Sequence, residues 1–199
     1  MLRIGILGGT FDPPHIGHLV LADCAIDSLG LDQLLFVPAG DPPHKHNETR
    51  LPISHRMAML DLALGRSGRF TLSRIDVDRP GPHYAVDMVR IVKAQYPEAE
   101  LYFVMGGDSF YDLPQWYCPE DLVKLCKLAV MPRTAFKIAP DMHEAALPGT
   151  AAVTVMIDAP LVELSSTEIV DRLRQGKTVR YLVPEPVLSY IASHQVYQG

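Results

Sequence analysis

The sequence predicts a single α/β domain built on a doubly wound parallel sheet. Short apolar runs of strand length alternate along the chain with longer stretches whose apolar residues recur at helical spacing. Glycine or proline stands at many of the junctions. No linker, internal repeat or low-complexity tract breaks the alternation across 199 residues, a length that suits one domain spanning 1–199 with a substantial core.

The elements follow in order. Leu2 to Leu7 is an apolar run closed by Gly8 and Gly9, the pattern of a buried strand. Ile16 to Leu29 repeats at helical spacing, and Gly30 stands where a helix C-terminal glycine belongs. Gln33 to Val37 is the next strand, and Pro52 to Leu64 a second helix ending near Gly65. Phe70 to Ile75 alternates as a strand, and Tyr84 to Gln95 follows as a helix. Leu101 to Met105 and Lys127 to Met131 read as strands, the first of them central, and Val153 to Ile157 as a further one. Ser166 to Gln175 is a helix with Ser165 as N-cap and Gly176 as its stop. Pro184 to Ser193 closes the chain as a helix with proline near its first turn. Arg133 to Thr150 is irregular. In such a fold, ligands bind beyond the carboxyl ends of the strands.

Composition narrows the class. A net charge of −5 excludes the basic face of a duplex nucleic-acid binder, so no nucleic-acid partner is expected. No apolar run reaches the ~18 residues of a membrane span, and MLRIGILGGT does not read as a secretory signal. Cys24, Cys118 and Cys126 form neither an even set nor a CxxC pair, which fits reduced thiols in a cytoplasmic protein. A homo-oligomer is left open.

The informative segment is GGTFDPPHIGH, Gly8 to His18. It leaves the first strand and enters the first helix. Two adjacent glycines let the backbone approach a bulky anion, and the helix aims its unpaired N–H groups at the same spot. The spacing of Gly5, Gly8 and Gly9 is not that of GxGxxG, which argues against a dinucleotide-dependent oxidoreductase. Gly176-Lys177-Thr178 imitates the end of a Walker A loop, but Asp171 stands where its first glycine is required. His15 and His18 lie roughly 60° apart around a helix and ~4.5 Å along it, so both face one phosphate group, and protonated imidazoles are compact donors near neutral pH. Gly17 between them is read as keeping the helix end open to a ligand. Zinc, the other use of paired histidines, lacks a third ligand at usable spacing and the HExxH pattern.

With these residues the sequence resembles the T/HxGH nucleotidylyltransferase superfamily, which is Rossmann-like in fold, and more narrowly the bacterial nicotinate-nucleotide adenylyltransferases. The supporting blocks are PPHK at Pro42 to Lys45, GPHYAVDM at Gly81 to Met88, MGGDSF at Met105 to Phe110, LPQWY at Leu113 to Tyr117, LSSTEI at Leu164 to Ile169 and VRYLVP at Val179 to Pro184. The resemblance implies in-line attack by nicotinate mononucleotide on the α-phosphorus of ATP, without a covalent intermediate, as a step of NAD biosynthesis. A phosphate nucleophile is already anionic, so no general base is needed, and the first loop offers none beyond Asp12. It further implies that His18 contacts the α-phosphate with His15 and Thr10 beside it, and that Gly8, Gly9 and Phe11 hold ATP through backbone groups. Gly106, Asp108, Ser165, Ser166 and Thr167 complete the ATP site, with Asp108 on the adenosine ribose. Mg²⁺ is carried on the ATP phosphates rather than by a protein metal site. Trp116 stacks on the pyridine ring, the backbone N–H of Tyr117 meets its carboxylate, and Tyr84, Ala85, His44 and Lys45 belong to the same mononucleotide site. Read without the resemblance, Trp116 is as readily a core residue, and Asp108 a loop-stabilising Asx residue. The stretch from Asp41 to Arg56, with Lys45, Arg50, Arg56, His44, His46 and His55, makes a basic loop suited to an anionic mononucleotide.

Two positions depart from the family. Val170 stands where the family carries an arginine for the β and γ phosphates, and Arg133 is the expected substitute, with Arg174 one turn along the helix. Ala85 stands where the family commonly has a threonine that recognises the pyridine substituent, which leaves the choice between nicotinate and nicotinamide mononucleotide open. Phosphopantetheine as substrate is disfavoured by the Trp116-Tyr117 block, and a catalytically weak regulatory module by the retention of His15, His18 and Asp108.

Overall fold

A computed structural model of the protein describes residues 1–40, 50–134 and 136–197. Six parallel strands form one sheet: β1 (Arg3–Gly9), β2 (Gln33–Pro38), β3 (Phe70–Leu72), β4 (Glu100–Gly106), β5 (Lys127–Met131) and β6 (Thr154–Met156). The helices are α1 (Ile16–Leu29), α2 (Ile53–Leu64), α3 (Ala85–Gln95), α4 (Gly107–Tyr111), α5 (Pro119–Leu125), α6 (Thr150–Val153), α7 (Ser166–Arg174) and α8 (Glu185–Ser193). The strand order is β3-β2-β1-β4-β5-β6. The chain winds outward from β1 to β3, then returns to lay β4 against β1. The carboxyl ends of β1 and β4 therefore diverge at the point where the winding reverses, which opens a crevice there.

The two-residue period of the strands sorts side chains into two cores. Ile4, Ile6, Leu35, Val37, Leu101, Phe103, Leu128 and Val130 pack on one face against Val89 and Val92 of α3 and Leu122 of α5. Leu34, Phe36, Tyr102, Val104 and Ala129 pack on the other against Leu21, Ala22, Ala25 and Ile26 of α1. A third cluster ties α2 to the C-terminal helices through Met59, Ile169, Val183, Val187 and Ile191. The three cysteines are free thiols, and no helix among the described residues is long and apolar enough to cross a membrane.

Several boundaries differ from the expectation. β1 runs on through Gly8 and Gly9, which pair with Val37 and Pro38, so the glycines end the strand rather than begin the loop. β3 stops at Leu72, where the N–H of Ser73 bonds the Phe36 carbonyl and a turn at Arg74 takes over. Val153 belongs to α6, leaving Thr154–Met156 as the strand. Helices α4 and α5, and the 3₁₀ turn Leu113–Gln115 between them, were not expected at all. Their starts at Gly107 and Pro119 and their brevity hide any helical period.

Candidate active site

The crevice is a cavity of about 380 Å³. Gly8, Gly9, Thr10 and His18 line one part of it, Gly106, Asp108 and Arg133 another, and Tyr84, Ala85, Trp116 and Tyr117 a third. Three segments distant in sequence, at the ends of β1, β4 and β5, thus converge with the start of α3. Expected residues His44 and Lys45 lie outside the described residues, with the rest of the PPHK block.

The first loop owes its shape to close packing. Phe11 takes a left-handed conformation (φ 50°) and buries its ring, 1% exposed, edge-on to His18 at 4.9 Å between centroids. A Cβ on Gly9 would sit 3.0 Å from that ring, which accounts for the glycine. Gly17 has a similar cause and not the one expected: it is buried, and a Cβ there would lie 3.0 Å from the His15 imidazole. It makes room for a histidine rather than for a ligand. His15 ends the loop at the N-cap of α1 with its ring stacked on His18 at 3.7 Å.

The backbone N–H of His15 donates to Nδ1 of His18 at 3.2 Å. A ring nitrogen that accepts carries no proton, so the His18 proton lies on Nε2. Burial, the neighbouring His15 and the Arg133 guanidinium all hold the His18 pKa well below its ordinary value. Burial, then Arg133, lowers His15 to about 4. The expectation of two imidazolium ions is therefore corrected. Both rings are neutral at pH 7, because each charge would be desolvated beside another cation.

With the folded pKa of His15 near 4 and the ordinary value 6.5, the unfolded chain takes up a proton first as pH falls. Stability is intact above 6.5 and declines between there and 4. Between pH 7 and pH 5, His15→Gln should lose roughly 2 kcal/mol less stability in denaturant melts than the unsubstituted protein. Equal losses in the two proteins would contradict the assignment.

Asp12 and Arg56 turn out to be structural. Asp12 accepts the Leu51 N–H at 2.9 Å and the Tyr197 hydroxyl, so it is not placed as a base. Arg56 is 2% exposed and donates to the carbonyls of Thr10 at 2.8 Å, Ala39 at 2.9 Å and Leu51 at 3.1 Å. His55 meets the Tyr190 hydroxyl at 2.9 Å. The basic-loop reading is thus corrected at both residues: Arg56 braces the loop from below, and His55 joins α2 to α8.

At the far wall, Asp108 follows Gly106 into α4, and its Oδ1 lies 3.3 Å from Nε of Arg133. Ser165 caps α7 by accepting the Glu168 N–H at 3.1 Å, and Ser166 ties that helix to the first loop through the Pro13 carbonyl at 2.9 Å. Ser165, Ser166 and Thr167 do not line the cavity. Val170 is buried, whereas Arg133 is on the cavity wall and Arg174 is exposed. Trp116 packs edge-on to Phe103 at 5.8 Å, and Tyr117 stacks on Tyr84 at 4.2 Å. The sequence reading did not single out Asp76, His83 or Met88, which also line the cavity. Asp76 lacks any local signal, while His83 and Met88 lie within the quoted Gly81–Met88 block.

His15 does not line the cavity and stands behind His18; a glycine corner with one imidazole, an Asp–Arg pair and an aromatic wall around one crevice suits a nucleotide triphosphate beside a planar ring. The family model that matches the chain is cytidylyltransferase-like and covers residues 6–172, so the protein is a nucleotidyltransferase. The probable nicotinate-nucleotide adenylyltransferase of Thermomicrobium roseum is 42% identical over 198 residues, covering 100% of this chain and 92% of that protein. Its counterpart from Synechococcus sp. is 42% identical over 198 residues, with 98% and 94% covered. The chain belongs to the nicotinate-nucleotide adenylyltransferase family. In fold it is similar to Plasmodium falciparum nicotinic acid mononucleotide adenylyltransferase solved in complex with NaAD, with a TM-score of 0.83 at 20% identity over 99% of this chain and 98% of that one.

Proposed function

We propose that the protein transfers the adenylyl group of ATP to nicotinate mononucleotide, giving nicotinate adenine dinucleotide and pyrophosphate. The observation that carries this is the continuity of the cavity: one space joins the Gly8-Gly9-His18 corner to the walls of Trp116, Tyr84 and Tyr117. Two substrates laid end to end would meet at His18. The names of the relatives support the same reaction.

The work of the protein is positioning and charge stabilisation, since the attacking phosphate is anionic and pyrophosphate leaves without protein chemistry. His18, held as the Nε2–H tautomer, donates to an α-phosphate oxygen as negative charge grows there. His15 holds that ring by stacking, and Thr10 and the two glycines supply backbone donors. Asp108 keeps Arg133 oriented through one oxygen and offers the other to the ribose of ATP. Mg²⁺ arrives on the ATP phosphates as part of the substrate. Trp116 and Tyr117 take the pyridine end, and the phosphate of the mononucleotide is left to the PPHK block.

Arg133 supplies the cation that Val170 cannot. Arg133→Ala should raise the KM for ATP about 10- to 100-fold, the loss of a charged hydrogen bond. An unchanged KM would return the role to another residue. The reaction itself is tested by pyrophosphate release with Mg²⁺-ATP and nicotinate mononucleotide, with nicotinamide mononucleotide in a parallel arm. Dinucleotide formation is expected with the first, and no product from either would refute the proposal.

A further inference from the structure

Asp76 lies just beyond β3, is 1% exposed, and lines the cavity. Its Oδ1 accepts from Nε of Arg79 at 2.9 Å and lies 2.8 Å from Nη2 in the same ion pair. Its Oδ2 is buried and has no hydrogen-bond partner among the described residues. Arg79 also reaches the Pro82 carbonyl at 3.3 Å and the Tyr84 carbonyl at 3.5 Å, which fixes the carboxylate beside the start of α3. Behind it the packing is tight, since a Cβ on Gly40 would fall 2.8 Å from the Asp76 carbonyl oxygen. The carboxylate is thus held in one place at a residue that lines the cavity.

Leaving a carboxylate oxygen dry and unpaired is costly, and more so in a cavity meant for anions. Burial raises the Asp76 pKa despite the bond from Arg79, as expected for an oxygen awaiting a donor. A carboxylate accepts and cannot donate, so its partner must carry an O–H or N–H. Under the reading proposed above, nicotinate mononucleotide has such donors on its ribose. Its ring carboxylate and ring nitrogen have none, and its ionised phosphate accepts rather than donates. The donors of ATP belong beside Asp108 and Gly106, whereas Asp76 is bonded through Arg79 to the Tyr84 segment of the wall.

We infer that Oδ2 of Asp76 accepts a hydrogen bond from a ribose hydroxyl of the pyridine mononucleotide, so that Asp76 selects ribonucleotide over deoxyribonucleotide substrate. Each ribose then meets one carboxylate: Asp108 for ATP, Asp76 for the other partner. An analogue lacking the hydroxyl strands a buried charged acceptor and is rejected for that reason.

The inference rests on the proposed reaction, and the two fail differently. With saturating Mg²⁺-ATP, kcat/KM is measured for nicotinate mononucleotide and for its 2′-deoxy and 3′-deoxy analogues. The unsubstituted protein should lose about 10- to 100-fold on one of the deoxy analogues. Asp76→Ala should bring the parent substrate down to that level and erase the difference, with the KM for ATP little changed. No turnover of any pyridine nucleotide defeats the reaction. Turnover without discrimination between ribo and deoxy substrates in the unsubstituted protein overturns the role of Asp76, whatever the fate of the variant. So does an Asp76→Ala protein that retains the full ratio.

Discussion

His18→Ala should lower kcat about 100- to 1000-fold while leaving the KM of each substrate within about threefold. The asymmetry is the informative part. A donor that met ground state and transition state alike would raise KM, whereas one aimed at oxygens that gain charge as pyrophosphate departs acts on kcat. The Nε2–H tautomer is imposed by the backbone bond from His15 into Nδ1 at 3.2 Å, so the donor is pre-aimed before ATP arrives. His18→Gln retains a side-chain N–H and should recover part of the loss. A His18→Ala protein with unchanged kcat would remove this side chain from the chemistry.

Arg56→Met should destabilise the protein by about 3–5 kcal/mol, the scale expected when a buried ionic network loses one member. The guanidinium holds the carbonyls of Thr10, Ala39 and Leu51 together at 2.8, 2.9 and 3.1 Å. Methionine fills much of the volume and offers no donor. Burial lowers the Arg56 pKa, and the nearby Asp12 offsets that in part. Arg56→Lys should recover only a fraction, because one ammonium cannot span carbonyls that arrive from three directions. Urea unfolding gives the value directly. A loss under 1 kcal/mol would mean that water replaces the arginine.

The parts legible in the sequence are those whose physics is local. Gly8 to His18 declares a strand end, a tight corner and a helix start within one stretch, and the period of Ile16 to Leu29 with Gly30 after it defines α1 without outside help. The parts that were not legible depend on partners far along the chain. Arg56 reads as one more cation in a charged stretch, yet it is buried because carbonyls 46 and 17 residues away converge on it. Asp76 sits in a run with no motif, and only the fold brings it to the cavity. Gly17 was misread because the ring that crowds it belongs to a residue whose rotamer no pattern records. The histidine charges were misread for a related reason: desolvation and Arg133 are properties of the assembled site.

In the proposed reaction the cleavage point of ATP lies at the corner formed by Gly8, Gly9 and His18. A crystal structure with nicotinate adenine dinucleotide bound would test it most directly. The bridging diphosphate should lie against these three residues, with the pyridine ring toward Trp116 and the adenosine ribose at Asp108. A dinucleotide seated elsewhere, with His18 facing only solvent, would contradict it.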